Sequence, residues 1–273
     1  PYFLQLTAFP CYFPVRKDIV EADPEGWALN PETYISNGPF TMTEWTHNDV
    51  LRLVKNENYY DAENVKIEEI EYVMIVEGST AFSAFQSGEI DYTENVPADQ
   101  IVQLQEAQDA NFNIFPYIGT YFYCFNMNAD LMKDVKVREA LSLAIDREAI
   151  VTNVTKGGQK PANGFVSEGI ATSTGESFRT LAGDHGVPVK ADVEKAKALL
   201  AEAGYPDGAG FPELELLYNT NEGHKAIAEA VQEMWKQNLG INVTLRNEEW
   251  KVFQESRKNG NYTVARHGWI GDY

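Results

Sequence analysis

Leu214-Glu215-Leu216-Leu217-Tyr218 and Ile241-Asn242-Val243-Thr244-Leu245 are two strand-like runs. Between them Ile227, Ala230, Val231, Met234, Trp235 and Leu239 recur at helical spacing, and Gly240 stops the pattern. Strand, helix and strand within roughly thirty residues predict a right-handed parallel crossover. That unit places the chain in the α/β class, with mixed α+β content elsewhere. On such sheets ligands sit beyond the carboxyl ends of the strands. The crossover therefore marks residues 218–224 and 246–250 as the candidate face.

Upstream, Asp192 is placed to cap a helix with Val193, Ala196, Leu199, Leu200 and Ala203 facing inward, stopped by Gly204 and Pro206. Asp134 is placed to cap another, with Val137, Ala140, Leu141, Ala144 and Ile145 on one stripe, and Asp146 a third over 147–154. Residues 156–188 hold many Gly, Pro, Ser and Thr and predict a long surface excursion. Tyr117-Ile118-Gly119-Thr120-Tyr121-Phe122-Tyr123 is one β-run with a glycine inside. Such a run suits a crossing and hinge between lobes, or an ordinary central strand.

Residues 1–118 read as mostly β with short helices. Val50-Leu51-Arg52-Leu53-Val54 and the β-branched stretch 66–76 are strand-like. A short helix over 80–86 ends at Gly88, and Ile90-Asp91-Tyr92 is expected to return as a strand. At the other end, Val264-Ala265-Arg266-His267-Gly268-Trp269-Ile270-Gly271-Asp272-Tyr273 is a β-type run carrying one Arg and one Asp.

Composition bounds the function. With 44% hydrophobic and 12% aromatic residues the 273-residue chain is globular. Its 22 Lys and Arg against 41 Asp and Glu give a net charge of -19, a field that repels nucleic acid and anionic lipid. No apolar stretch approaches the roughly 20 residues of a membrane span. Pro1-Tyr2-Phe3 shows no basic region, cleavage site or lipid-attachment cysteine, so any export signal is expected outside this chain. Cys11 and Cys124 allow one bridge, but buried free thiols are the expectation.

Catalytic and metal signatures are poor. The four histidines, at 47, 185, 224 and 267, form no pair at helical ligand spacing. Gly157-Gly158-Gln159-Lys160 lacks the P-loop spacing, and no nucleophile elbow occurs. No cofactor is implied. A hydrolase would need a nucleophile–base pair that the sequence does not offer.

Six segments carry a resemblance. Ser36-Asn37-Gly38-Pro39-Phe40 with Glu44-Trp45, Asn58-Tyr59-Tyr60-Asp61-Ala62 and Phe85-Gln86-Ser87-Gly88-Glu89-Ile90-Asp91 are three of them. The others are Val137-Arg138-Glu139-Ala140-Leu141-Ser142-Leu143-Ala144-Ile145-Asp146-Arg147, Leu199-Leu200-Ala201-Glu202-Ala203-Gly204-Tyr205-Pro206, and the constellation from Tyr218 to Asp272. In this order they resemble the peptide-carrying extracellular solute-binding proteins, family 5, which feed ABC importers. The resemblance implies a periplasmic-binding-protein-like fold whose two lobes close on an extended peptide. By it, residues 1–118 are a middle segment of the first lobe and 119–273 the start of the second, so that both lobes are incomplete and the chain is an internal fragment.

The resemblance also implies site residues and partners. Asp272 matches the family's ammonium-binding Asp, and Arg266 an Arg that meets the peptide carboxylate. Arg257 and His224 match positions that serve other peptide lengths, and Trp250 and Trp269 look like side-chain pocket walls. The backbone around Gly268 would pair with the ligand as a strand. Bland readings stand beside these: a solvated or capping Asp272, a surface Arg257, a helix-start His224 and core tryptophans. Implied partners are short peptides and a membrane permease with its ATPase, for a bacterial, monomeric, extracytoplasmic protein, periplasmic or lipid-anchored. Relatives of this fold also carry nickel chelates, sugars or signalling peptides.

Overall fold

The computed structural model describes residues 3–183 and 186–271. Two units divide the chain, Pro1–Val76 and Glu77–Gly271.

In the first unit, strands β1 (Phe40–Thr46), β2 (Val50–Lys55) and β3 (Glu69–Val73) form an antiparallel sheet in that order. The turn before β1 is held from two sides. Ser36 Oγ accepts the Gly38 N–H at 3.0 Å, and the buried Asn56 donates Nδ2 to the Gly38 carbonyl at 2.8 Å. Arg52, on the middle strand, faces Glu44 and Glu71 in register and bonds to both, a cross-strand charge ladder. The strand expected over 66–76 is paired only at Glu69–Val73.

The second unit starts with helices α1 (Gly78–Ser87) and α2 (Ala98–Glu106). Gly88, at φ 78°, ends α1 in the left-handed conformation that glycine adopts without strain. The return strand expected at Ile90-Asp91-Tyr92 is absent. Its three residues are irregular, with Tyr92 exposed and no neighbouring strand among the described residues to accept a ladder. Residues 1–118 therefore hold more helix than the mostly β reading expects.

Four strands follow: β4 (Gly119–Phe125), β5 (Leu214–Asn219), β6 (Val243–Glu248) and β7 (Val264–Ile270), in the sheet order β4-β7-β5-β6. Strands β5 and β6 are parallel, as the crossover predicts. β4 is an edge strand rather than a central one, because β7 returns between β4 and β5. It pairs with β7 along its full length, antiparallel. The Gly119 hydrogen matters there: a Cβ would lie 3.1 Å from the Trp269 carbonyl oxygen.

The predicted caps form. Asp134 accepts the Lys136 N–H at 2.8 Å and opens α3 (Val135–Leu143); Asp192 accepts the Lys195 N–H at 3.1 Å and opens α4 (Val193–Glu202). Asp146 accepts the Ala149 N–H at 2.8 Å and opens the turn that continues into Ile150–Thr155. Helix α5 (Glu222–Leu239) covers one face of the sheet. Its Trp235 is wholly buried and donates Nε1–H to the Leu141 carbonyl at 2.8 Å, tying α5 to α3. Val137, Leu141, Leu200, Leu214, Leu216, Val231 and Val264 complete that core. At the end of α5, Gly240 (φ 68°) abuts the Asp207 carbonyl, which lies 2.5 Å from where a Cβ would be. Helix α6 (Trp250–Lys258) covers the other face, where Phe253 packs with Leu217 and Ala265. Both cysteines are free; Cys124 is half-buried, whereas Cys11 is exposed, in a turn with no buried residue, against the expectation of a buried thiol.

Candidate ligand-binding site

β7 leaves the core as it runs. Val264 and Ala265 expose nothing, and both pair with β4 and with β5, opposite Leu216 and Leu217. From Arg266 onward β4 is its one strand neighbour among the described residues, and Trp269 and Ile270 are 56% and 54% exposed. Alternation puts Val264, Arg266 and Gly268 on the α5 face and Ala265, His267 and Trp269 on the α6 face.

On the α5 face, the Arg266 guanidinium lies 4.9 Å from the centre of the Tyr121 ring and donates Nη1–H to Asn219 Oδ1 at 3.2 Å. Gly268 lies beside it: a Cβ there would meet Arg266 Nη2 at 3.4 Å, an ordinary contact distance. His224, in the first turn of α5, holds its ring 5.6 Å from that of Tyr121. Burial, and then the charge of Arg266, lower the His224 pKa to about 4. Burial raises the Tyr121 hydroxyl to about 12 against the pull of Arg266, although 37% of the residue's surface stays open. Burial also raises Tyr123, which faces Arg266 across the strand pair. Among the described residues the Tyr123 hydroxyl and Arg266 Nε are buried without a hydrogen-bond partner, and the hydrogen bond that Arg266 does make goes to the neutral Asn219 rather than to a carboxylate. A partly buried guanidinium that no carboxylate of the described residues pairs with is a ready acceptor of an anion.

The α6 face gathers a different set. Arg257 lies over the Phe253 ring at 5.5 Å and donates to Gln254 Oε1 at 3.1 Å. Trp250, at the start of α6 and 51% exposed, stacks on Phe253 at 5.9 Å. The His267 ring stacks on Phe122 at 4.9 Å, and Phe165 of the 156–188 excursion meets Phe122 edge-on at 4.9 Å.

The seven residues singled out in the sequence thus fall into two groups. Arg266, His224 and Gly268 come together on one face, and Arg257, Trp250 and Trp269 belong to the other. Asp272 lies outside the described residues. Tyr121, Tyr123 and Asn219 were not among the seven. Their signal was faint: two tyrosines in alternation on a strand, and a polar residue at the carboxyl end of β5. Among the described residues, no group of three or more His, Cys, Asp or Glu could hold a metal ion, and no helix is long and apolar enough to cross a membrane.

A parallel crossover with an enclosed cation at its carboxyl ends has the form of a ligand-binding α/β domain. The chain belongs to the bacterial extracellular solute-binding proteins, family 5: the model of that family's middle region matches residues 1–273. It is 38% identical over 273 residues to the dipeptide-binding protein DppE of Bacillus subtilis (strain 168), covering 100% of this chain and 49% of that protein. Thus the chain spans about half the length of the curated relatives it matches. Among solved structures, the periplasmic oligopeptide-binding protein OppAIV of Borrelia burgdorferi is similar with a TM-score of 0.90 at 34% identity, covering 100% of this chain and 52% of that one. Haemophilus influenzae OppA, solved in complex with RPPGFSPFR, gives a TM-score of 0.88 at 31% identity, covering 100% and 53%.

Proposed function

We propose that the full-length protein is the substrate-binding component of an ABC importer, which captures short peptides and delivers them to a membrane permease. Residues 1–118 contribute to one lobe and 119–273 to the other. The observation that carries this reading is Arg266, enclosed by Tyr121 and Asn219 and unpaired with any carboxylate among the described residues. A peptide carboxylate supplies the missing charge. The open side of β7 beyond Ala265 can pair with the ligand backbone by strand addition. Asp272 receives the peptide ammonium. Arg257 serves peptides of another length, and Trp250 and Trp269 form tolerant walls for side chains.

The protein does no chemistry; a permease and its ATPase do the work. It acts as a monomer outside the cytoplasm, in the periplasm or lipid-anchored at the membrane's outer face. Ligand binding shifts an open–closed population about the crossing at 118–124. A sugar would leave the Asp272 charge unpaired on closure, at a cost on the order of several kcal/mol. A dedicated ligand, such as a metal chelate or a signalling peptide, is the second reading.

Native mass spectrometry of the full-length protein, purified gently from its cells, tests the proposal. A ladder of co-purified masses spaced as peptides of two to several residues is expected. A single adduct of non-peptide mass would overturn it in favour of a dedicated carrier. Asp272→Ala should reduce peptide affinity steeply with folding intact, and unchanged affinity would remove the assigned role.

A further inference from the structure

Helix α1 does not cap its own start. Glu77, its N-cap residue, makes no side-chain hydrogen bond to the helix. The orphan N–H groups of a helix start need an acceptor, and a carboxylate there also meets the positive end of the helix dipole. Glu222, 143 residues further along the chain, supplies it. The Ser79 N–H donates to Glu222 Oε2 at 2.9 Å, and the Ser79 hydroxyl donates to Glu222 Oε1 at 2.6 Å. Both carboxylate oxygens are engaged by one residue of the first turn of α1.

The surroundings are arranged for this contact. Gly78 packs at ordinary contact distance beside it: a Cβ there would lie 3.4 Å from Asn95 Cβ and 3.5 Å from Glu222 Oε2. Glu222 is not occupied in capping its own helix, because Asn221 Oδ1 accepts the His224 N–H at 3.1 Å. Two residues beyond Glu222, His224 rests against Tyr121 in the Arg266 cluster. The first turn of α5 thus carries the trans cap on one side and part of the candidate ligand site on the other.

We infer that Ser79 and Glu222 are positioning residues that form a closure latch, holding the two lobes together over bound ligand. The inference rests on the proposed lobe boundary near residue 118, which assigns Ser79 to the first lobe and Glu222 to the second; both lie in the compact unit Glu77–Gly271, as a contact made on closure requires. Opening the cleft separates α1 from α5 and returns the Ser79 donors and the carboxylate to water. Closing re-forms two charge-assisted hydrogen bonds at once. Because the contact exists only in the closed state, it slows ligand escape and leaves first encounter untouched.

Two readouts on the full-length protein, in a Cys11→Ser background, test the latch. One is the rate at which tri-alanine dissociates, followed by tryptophan fluorescence. The other is the closed-to-open ratio of the ligand-free protein, from the distance between spin labels on Val102 and Val135, both exposed. Glu222→Ala should raise the dissociation rate and lower the closed-to-open ratio about fivefold, the factor that corresponds to about 1 kcal/mol. Ser79→Ala, which keeps the N–H bond, should have a smaller effect, and none when added to Glu222→Ala. Glu222→Gln, of the same size, should lie between wild type and Glu222→Ala and guards against misfolding. The association rate and the thermal midpoint of the ligand-free protein should hold steady. Unchanged rate and ratio in Glu222→Ala would overturn the latch and leave peptide capture standing. A wild-type protein that ignores tri-alanine counts against peptide capture, and the spin-label ratio then decides the latch by itself.

Discussion

The two halves of β7 are seven residues of one strand under opposite constraints. Val264 and Ala265 are wholly buried and flanked by strands on both sides, whereas Arg266 to Ile270 have one strand neighbour and emerge progressively into solvent. In the first half, pairing and packing agree, and the side chains are small and apolar. In the second, the chain keeps an open edge and an enclosed guanidinium without a carboxylate partner among the described residues. The difference teaches that one strand can anchor a fold at its start and leave an open edge, the candidate ligand site, at its end.

Variants can break this contrast. Trp235→Ala removes the largest side chain of the core against which Val264 packs, and should cost about 3–5 kcal/mol of stability in a denaturant titration. Arg266→Met should act on the other half. Peptide affinity should fall about 100-fold, roughly 2.7 kcal/mol, by calorimetry, with stability equal or slightly raised because an enclosed charge is gone. A stability loss like that of Trp235→Ala would make Arg266 a structural residue and dissolve the contrast.

Acid sharpens the same boundary through His224. Its folded pKa of about 4 lies below the ordinary 6.5, with burial the first cause and Arg266 the second. Between those values the unfolded chain binds more protons than the folded protein, so stability should fall as pH drops from 6.5 to about 4. His224→Gln should flatten that slope in thermal melts across the window. A wild-type slope of the opposite sign would mean that the imidazole is not enclosed beside Arg266. The smallest effect is expected at the open end: Gly119→Ala puts a Cβ 3.1 Å from the Trp269 carbonyl and should cost about 1 kcal/mol. Amide exchange should then quicken at Trp269 and Ile270 and stay slow at Val264.

Much of the fold was legible because its signals are local. Asp134, Asp146 and Asp192 cap helices wherever the chain places them, since each needs only an N–H within three residues. Gly88 and Gly240 stop helices for the same local reason, a positive φ. The Ser36–Phe40 and Leu199–Pro206 segments read as family signatures because each contains a turn held by bonds between near neighbours in the chain. The failures were non-local. Ile90-Asp91-Tyr92 looks like a strand but has no partner alongside among the described residues, and the central-strand reading of the run 117–123 gave way to an edge strand at Gly119–Phe125.

The candidate site divides along the same line. The sequence by itself determined the parallel crossover and the family, because periodicity, caps and motif order are properties of short segments. Only the tertiary structure decided that Arg266 and His224 share a face with Tyr121 and Tyr123, and that Arg257 and Trp250 belong to the opposite one. It also decided that Glu222 caps a helix 143 residues away. Alternation tells which residues of a strand lie together, but not which distant strand or helix stands opposite. That choice is made by the packing of the whole core, where burial of Trp235, Leu141 and Val264 outweighs any local preference.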